Sequence, residues 1–171
     1  MSELKPVNLR SFKKKVSHTK LSFRRFLTKL EKNPPKELKS LTENLGREVW
    51  SEVDCLSCAN CCKTMTPTFT PADLKRISTH FGQTVNEFKA KWLHKERGGD
   101  GDWMNKKQPC QFLNLKDNKC SIYEIRPADC AGFPHLPKKL KGYVHVHKQN
   151  IEYCPATYRL VEKMMKSLSL T

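Results

Sequence analysis

Apolar positions recur at helical spacing through the first third of the chain. Phe12, Val16, Phe23, Phe26, Leu27 and Leu30 fall close to one face, with Lys13 to Lys15 and Arg24-Arg25 set among them, which predicts a basic amphipathic helix. Asn33-Pro34-Pro35 interrupts that pattern and can start a second helix. Leu38, Leu41, Leu45, Val49 and Val53 follow at spacings of 3, 4, 4 and 4, a one-sided apolar stripe that Gly46 weakens locally. The stripe runs straight into Cys55, so this helix is expected to position what comes next.

Further along, Thr70-Pro71-Ala72-Asp73 has a hydroxyl N-cap, a proline at the first helical position and an acid in the first turn. Leu74 and Ile77 supply the apolar side of that helix, and Gly82 can close it. Thr84-Val85-Asn86-Glu87 reads as a capping box for another helix, with Phe88, Trp92 and Leu93 available for packing. Gly98-Gly99-Asp100-Gly101-Asp102 reads as a loop. From Trp103 to about Tyr123 short strands are expected, Gln111 to Leu115 and Cys120 to Tyr123 flanking the turn Lys116-Asp117-Asn118-Lys119. Tyr143 to His147 alternates as a third short strand, and Tyr158, Val161, Met164, Met165 and Leu168 form a closing amphipathic helix. The expected fold class is α+β: a single, mostly helical domain with a small irregular antiparallel sheet organised around a cysteine metal site. Residues 1–49 form a basic helical N-terminal extension, and residues 50–171 a cysteine-cluster metal-binding domain ending in a helix.

The cysteines change this picture most. Cys55-x-x-Cys58-x-x-Cys61-Cys62 places four thiols within eight residues, and Cys110, Cys120, Cys130 and Cys154 follow at wide spacing. Four thiols so close together are poorly placed for independent disulfides and well placed to share an inorganic centre. Were the segment helical, Cys55, Cys58 and Cys62 would fall within about 60° of one another, with Cys61 about 60° beyond Cys58. Helix or looser turn, it can present three thiolates and leave a fourth corner for a remote cysteine. Four thiolates satisfy zinc. They equally satisfy an iron–sulfur cluster, possibly 4Fe-4S, since Cys-x-x-Cys-x-x-Cys opens the bacterial ferredoxin run. Cys62 departs from that run, and the Cys-x-x-x-Cys-x-x-Cys of radical chemistry is absent. Pro109-Cys110 and Cys154-Pro155 hold their ligand backbones stiffly.

At 171 residues the chain can bury one core. Its cysteine content, about 5%, falls short of small disulfide scaffolds. There is no secretory signal pattern and no run of about 18 apolar residues. A cytoplasmic location follows by default, where spaced cysteines stay reduced. The formal net charge is +15. Residues 1–50 carry 13 Lys and Arg against 5 Asp and Glu, or +8, and the remainder 19 against 12, or +7. Thiolates bound to metal would offset part of the second figure. The basic N-terminal helix has no such partner and suits an acidic protein or nucleic acid.

Several segments together carry a family resemblance: Cys55-Leu56-Ser57-Cys58-Ala59-Asn60-Cys61-Cys62-Lys63, Phe69-Thr70-Pro71-Ala72-Asp73-Leu74, Pro109-Cys110-Gln111-Phe112-Leu113, Cys120-Ser121-Ile122-Tyr123-Glu124-Ile125-Arg126-Pro127-Ala128-Asp129-Cys130 and Phe133-Pro134-His135. Over about residues 50–156 the chain resembles the YkgJ-type cysteine-cluster family. The resemblance implies chelation of zinc or iron through the eight cysteines, and leaves the biological role unassigned. The cysteine motif is also similar to that of the flagellin lysine N-methylases, which implies an iron–sulfur enzyme of redox or methylase-related type as one alternative. A basic, zinc-stabilised interaction module is the other.

Supporting residues have ordinary roles beside functional ones. Arg126 can stabilise nearby thiolates and donate to sulfur, or brace Glu124 or Asp129. His135, five residues after Cys130, is the best nitrogen ligand candidate, against a supporting or surface role. His145 and His147 would share one strand face as a metal pair or simply be exposed. Tyr123 and Tyr153 are expected in the core or against the site. Lys63 can act on a cluster through its charge, or be solvated. Phe23, Phe26 and the nearby arginines fit a packing face better than a nucleic-acid surface.

Overall fold

The computed structural model describes residues 6–96, 101–136 and 140–169. The chain divides into two compact units, residues 1–58 with 134–171, and residues 59–133.

The first unit is helical. Helix α1, Leu9–Lys32, is capped by Asn8, whose side chain accepts the Ser11 N–H at 2.9 Å, and α2 spans Leu38–Glu52 after the Pro34-Pro35 break. Helix α3 is one turn, Cys55–Cys58. The second unit begins with α4, Asn60–Thr64, and β1, Thr68–Phe69, followed by α5, Pro71–His80, and α6, Val85–Trp92. Strands β2, Leu93–Lys95, and β3, Trp103–Asn105, then lead to a 3-10 turn at Tyr123–Ile125 and to α7, Ala128–Gly132. The chain returns to the first unit with α8, Leu140–Asn150, and α9, Pro155–Ser169.

In the first unit, α1 packs on α8 and α9, and α2 on α9. Leu27, Val49, Ile151, Leu160, Val161 and Met164 are at most 1% exposed. Tyr158 is the hinge of this packing. Its ring lies 5.7 Å from Phe12 and 4.9 Å from Phe23, and its hydroxyl is 3.0 Å from that of Thr19. The stripe read from Phe12 to Leu30 is therefore a packing face. Glu152 takes up Lys20 and Arg24, which flank that face.

The second unit packs a different core. Phe69, Leu74, Ile77, Phe88, Leu93, Phe112 and Ile122 are buried together, with Cys110 and Cys120 against them. Both helix starts follow their sequence signals, with complete capping boxes at Thr70/Asp73 and Thr84/Glu87. Helix α5 ends at Gly82, whose φ of 62° is open to glycine and strained for other residues. Gly82 N–H donates to the Thr79 carbonyl and Gln83 N–H to that of Ser78, both at 3.0 Å, the paired bonds of a Schellman end. The three strands are antiparallel in the order β1-β3-β2, with Phe69 opposite Trp103 and Leu93 opposite Asn105.

Four expectations are corrected. The strands at 111–115 and 120–123 reduce to a single bridge, Leu113 to Cys120, followed by the 3-10 turn. The strand at 143–147 is helix, inside α8. Its alternating residues are equally compatible with one turn of helix, and packing on α1 decides the matter. Leu93 belongs to strand β2, not to the face of α6. Tyr123 and Tyr153, expected in the core or against the site, are 38% and 39% exposed, so neither is a core residue. Gly98, Gly99 and Asp100 of the expected loop lie outside the described residues. No described helix is long and apolar enough to cross a membrane.

Candidate metal centre

The Cys55–Cys62 motif is not one continuous helix. Ala59 sits in the left-handed region, φ 44° and ψ 22°, and separates α3 from α4. None of the eight cysteines is in a disulfide. Cys55, Cys58 and Cys154 belong to the first unit, and Cys61, Cys62, Cys110, Cys120 and Cys130 to the second.

Within the second unit, four segments bring thiols toward one neighbourhood. Cys62 and Cys110 are tied through the backbone, Cys110 N–H donating to the Cys62 carbonyl at 2.8 Å. Cys110 is tied in turn to Cys120 by the 113–120 bridge and by Ser121 N–H on the Phe112 carbonyl at 2.8 Å. Cys130 rides on α7, which Asp129 fastens to β1 by accepting the Thr68 N–H at 3.1 Å.

The electrostatics mark the same group. Burial raises the Cys130 thiol far above its ordinary range, and charge on Cys62, Cys110, Asp129 and Cys120 raises it further. Burial likewise raises Cys110 and Cys120, each also opposed by charge on Cys62. Cys62 is the exception. The Cys61 thiol, with sulfurs 3.9 Å apart, helps to hold it at about 7 against the cost of burial, assisted by its own backbone N–H and by Lys63.

Hydrogen bonds converge on these sulfurs. Cys110 Sγ accepts from Phe112 N–H and from Asn105 Nδ2, the latter at 3.2 Å. Cys120 Sγ accepts from Ile122 N–H. Donors aimed at sulfur favour thiolate over thiol and orient it for a cation. The donor set is chemically suited to zinc or iron, both of which take four thiolates. Among the described residues, no group of three or more Cys, His, Asp or Glu side chains is gathered closely enough to hold a metal ion as it stands.

Arg126 lies with its guanidinium 3.8 Å from the centre of the Tyr123 ring, and its charge favours the Cys120 thiolate. Asp73, 1% exposed, is a supporting residue that the sequence presents only as a helix-capping acid. It accepts hydrogen bonds from Thr70, Arg76 and Ala128, the last being the first residue of α7. Arg76 also donates to the Arg126 carbonyl at 3.0 Å. Asn105 carries no local pattern in the sequence that marks it.

The histidines behave differently from their sequence reading. On α8, His145 and His147 point about 200° apart. His145 is exposed, whereas His147 is fully buried with no hydrogen-bond partner on either ring nitrogen. Burial, then charge on His135 and His145, lowers His147 to about 4. His135 belongs to the first unit, with its ring 5.9 Å from Tyr143.

Residues 54–156 match the family model CxxCxxCC, described as "Putative zinc- or iron-chelating domain". An uncharacterized protein of Methanocaldococcus jannaschii is 31% identical over 88 residues, 52% of this chain and 47% of that relative. The chain thus spans about half the length of the curated relative it matches. No solved structure matches.

Proposed function

We propose, from the premise that this chain belongs to the CxxCxxCC family of zinc- or iron-chelating domains, that its second unit holds the metal through Cys62, Cys110, Cys120 and Cys130. Cys61 would act from beside Cys62 and Arg126 from beside Cys120.

The observation that carries this reading is that charge on Cys62 bears on Cys110, Cys120 and Cys130 alike. Three thiols are raised by burial first and then by charge on Cys62, with backbone N–H groups directed at two of them. Left without a cation, such a set stays largely protonated. A divalent ion or cluster reverses the balance by supplying positive charge, and the thiols release their protons as they ligate.

Bound there, zinc would supply charge and four rigid bonds, and an iron–sulfur cluster would add reversible one-electron transfer. The chain's own contribution is positional. Asp73 and Asp129 fix α7 and so Cys130, the 113–120 bridge fixes Cys120, and the Cys62–Cys110 backbone bond joins the remaining pair. These segments share little regular secondary structure, so a centre among them acts first as a structural tie.

Anaerobic purification with metal analysis and a visible spectrum tests the proposal. Bound iron with sulfide and broad visible absorbance identifies a cluster, and a colourless chain holding zinc alone identifies the closed structural site. A folded Cys130→Ala chain that retains the full metal content of the wild type would overturn the ligand set.

A further inference from the structure

We infer that the outward face of helix α1 is a docking surface for duplex DNA, one that grips backbone phosphates without reading base sequence. The proposal does not depend on the metal-holding set assigned above, and α1 lies outside the residues 54–156 that match the chelating family.

The inward face of α1 is occupied by packing. Phe12, Val16, Phe23, Leu27 and Leu30 are buried there, and the helix lies against α8 and α9. On the opposite side, Arg10, Lys14, His18, Arg25, Lys29 and Lys32 are all exposed. At helical periodicity these residues fall within an arc of about 100° and extend for about 33 Å along the axis. Glu31, the acid of this helix, lies off the strip and pairs with Lys148 at 3.6 Å. On the flank, Lys20 and Arg24 are engaged by Glu152. Among the described residues no acid pairs with a cation of the strip itself.

This charge does not serve the helix. Arg10 stands in a first turn that contains no acid, where the helix dipole opposes a cation. Arg10 and Lys14, like Arg25 and Lys29, are like charges one turn apart, a spacing that weakens a helix. Packing of the inward face offsets these placements, and the strip is left facing solvent for an anion outside the chain.

The form of the strip selects the partner. A membrane-surface helix lays its apolar face into lipid, and here that face is buried in protein. A protein interface sets apolar or aromatic anchors at its centre and depletes charge there. The large apolar residue on this strip is Leu21 alone, 64% exposed. Single strands are held by stacking bases on aromatic rings, and the strip carries no Phe, Tyr or Trp. What remains is a straight row of cations whose length is close to one turn of duplex DNA, about 34–36 Å. Phosphates meeting such a row release their counter-ions, which drives sequence-independent binding.

The full chain as purified, titrated into a labelled DNA duplex of about two helical turns at several salt concentrations, tests this by fluorescence anisotropy. With Arg10, Lys14, Arg25, Lys29 and Lys32 on phosphates, log affinity should fall by about 4–5 per tenfold rise in salt. A duplex of unrelated sequence should bind equally. Lys14→Gln, Arg25→Gln and Lys29→Gln combined should weaken binding by at least about tenfold and lower that slope by about 3. Lys75→Gln, Lys107→Gln and Lys116→Gln combined removes the same charge from exposed lysines elsewhere and should leave both nearly unchanged. All six substituted residues are exposed, and circular dichroism checks that both variants keep the wild-type fold. No binding by the wild type, equal loss in the two variants, or wild-type binding in the first overturns the strip. Tighter binding to duplex RNA, to phosphatidylserine vesicles or to polyglutamate overturns the choice of partner.

Discussion

The Asp73 carboxylate accepts a hydrogen bond from the Ala128 backbone N–H at 3.1 Å, across 55 residues of sequence. One buried oxygen pair thus caps α5 through Thr70, holds Arg76 at 2.6 Å and starts α7, which carries Cys130. Burial alone would raise this carboxyl, but the bonds from Thr70, Arg76 and Ala128 outweigh it and hold the group below the usual carboxylate range.

Asp73→Ala should therefore destabilise the second unit by about 2–4 kcal/mol, through loss of a cap and stranding of the Ala128 N–H. Denaturant unfolding followed by Trp92 and Trp103 fluorescence measures it. The contribution is complete above the unfolded-state carboxylate range and disappears as pH falls through the lower folded value. Acid unfolding of the variant should accordingly show a shallower pH dependence. A variant with wild-type stability at neutral pH would deny Asp73 this role.

His147 predicts a separate pH effect in the first unit. Its folded value of about 4 lies below the ordinary 6.5, so the unfolded chain binds the extra proton first. Stability is full above about pH 6.5, falls as pH drops toward 4, and loses on the order of 3 kcal/mol across that window. His147→Leu should remove most of that slope at little cost near pH 7, because the imidazole nitrogens make no bonds to lose. Chemical denaturation at a series of pH values decides it; an unchanged slope would rule it out.

Tyr158 joins α1 to α9 through two aromatic contacts and the Thr19 hydroxyl. Tyr158→Ala is expected to cost about 3–5 kcal/mol, and Tyr158→Phe only about 1. Limited proteolysis of Tyr158→Ala should release α1 earlier than in the wild type. Equal protection would mean that α1 owes its order to something else.

Metal binding to the second unit should weaken as pH falls, since Cys110, Cys120 and Cys130 all hold their protons more firmly than a free thiol. Zinc competition against a chromophoric chelator at several pH values, with proton release read from a weakly buffered indicator, tests this. Binding without proton release at neutral pH would exclude these thiols as ligands.

The helices were largely legible without coordinates because their signals are local. A capping box needs four neighbouring residues, and the stripes from Phe12 to Leu30 and from Leu38 to Val49 repeat often enough to define a face. Short segments were not legible on the same terms. Tyr143 to His147 alternates in a way that suits one strand or one turn of helix, and burial of Val144 and His147 against neighbouring helices selects the helix. Strand β1 has two residues and exists only because β3 pairs with it.

The eight-cysteine pattern, the matched family and the suitability for zinc or iron are properties of residue type and spacing, which the chain states by itself. Which thiols become neighbours is a different quantity. Cys62 and Cys130 are separated by 68 positions, and their approach depends on bonds such as Asp73 to Ala128 that no local window contains. Spacing also favoured Cys55, Cys58 and Cys62 on one face, until a left-handed Ala59 parted α3 from α4. Local order follows from nearest neighbours along the chain, whereas the grouping of donors follows from burial and long-range hydrogen bonding, which only the folded chain supplies.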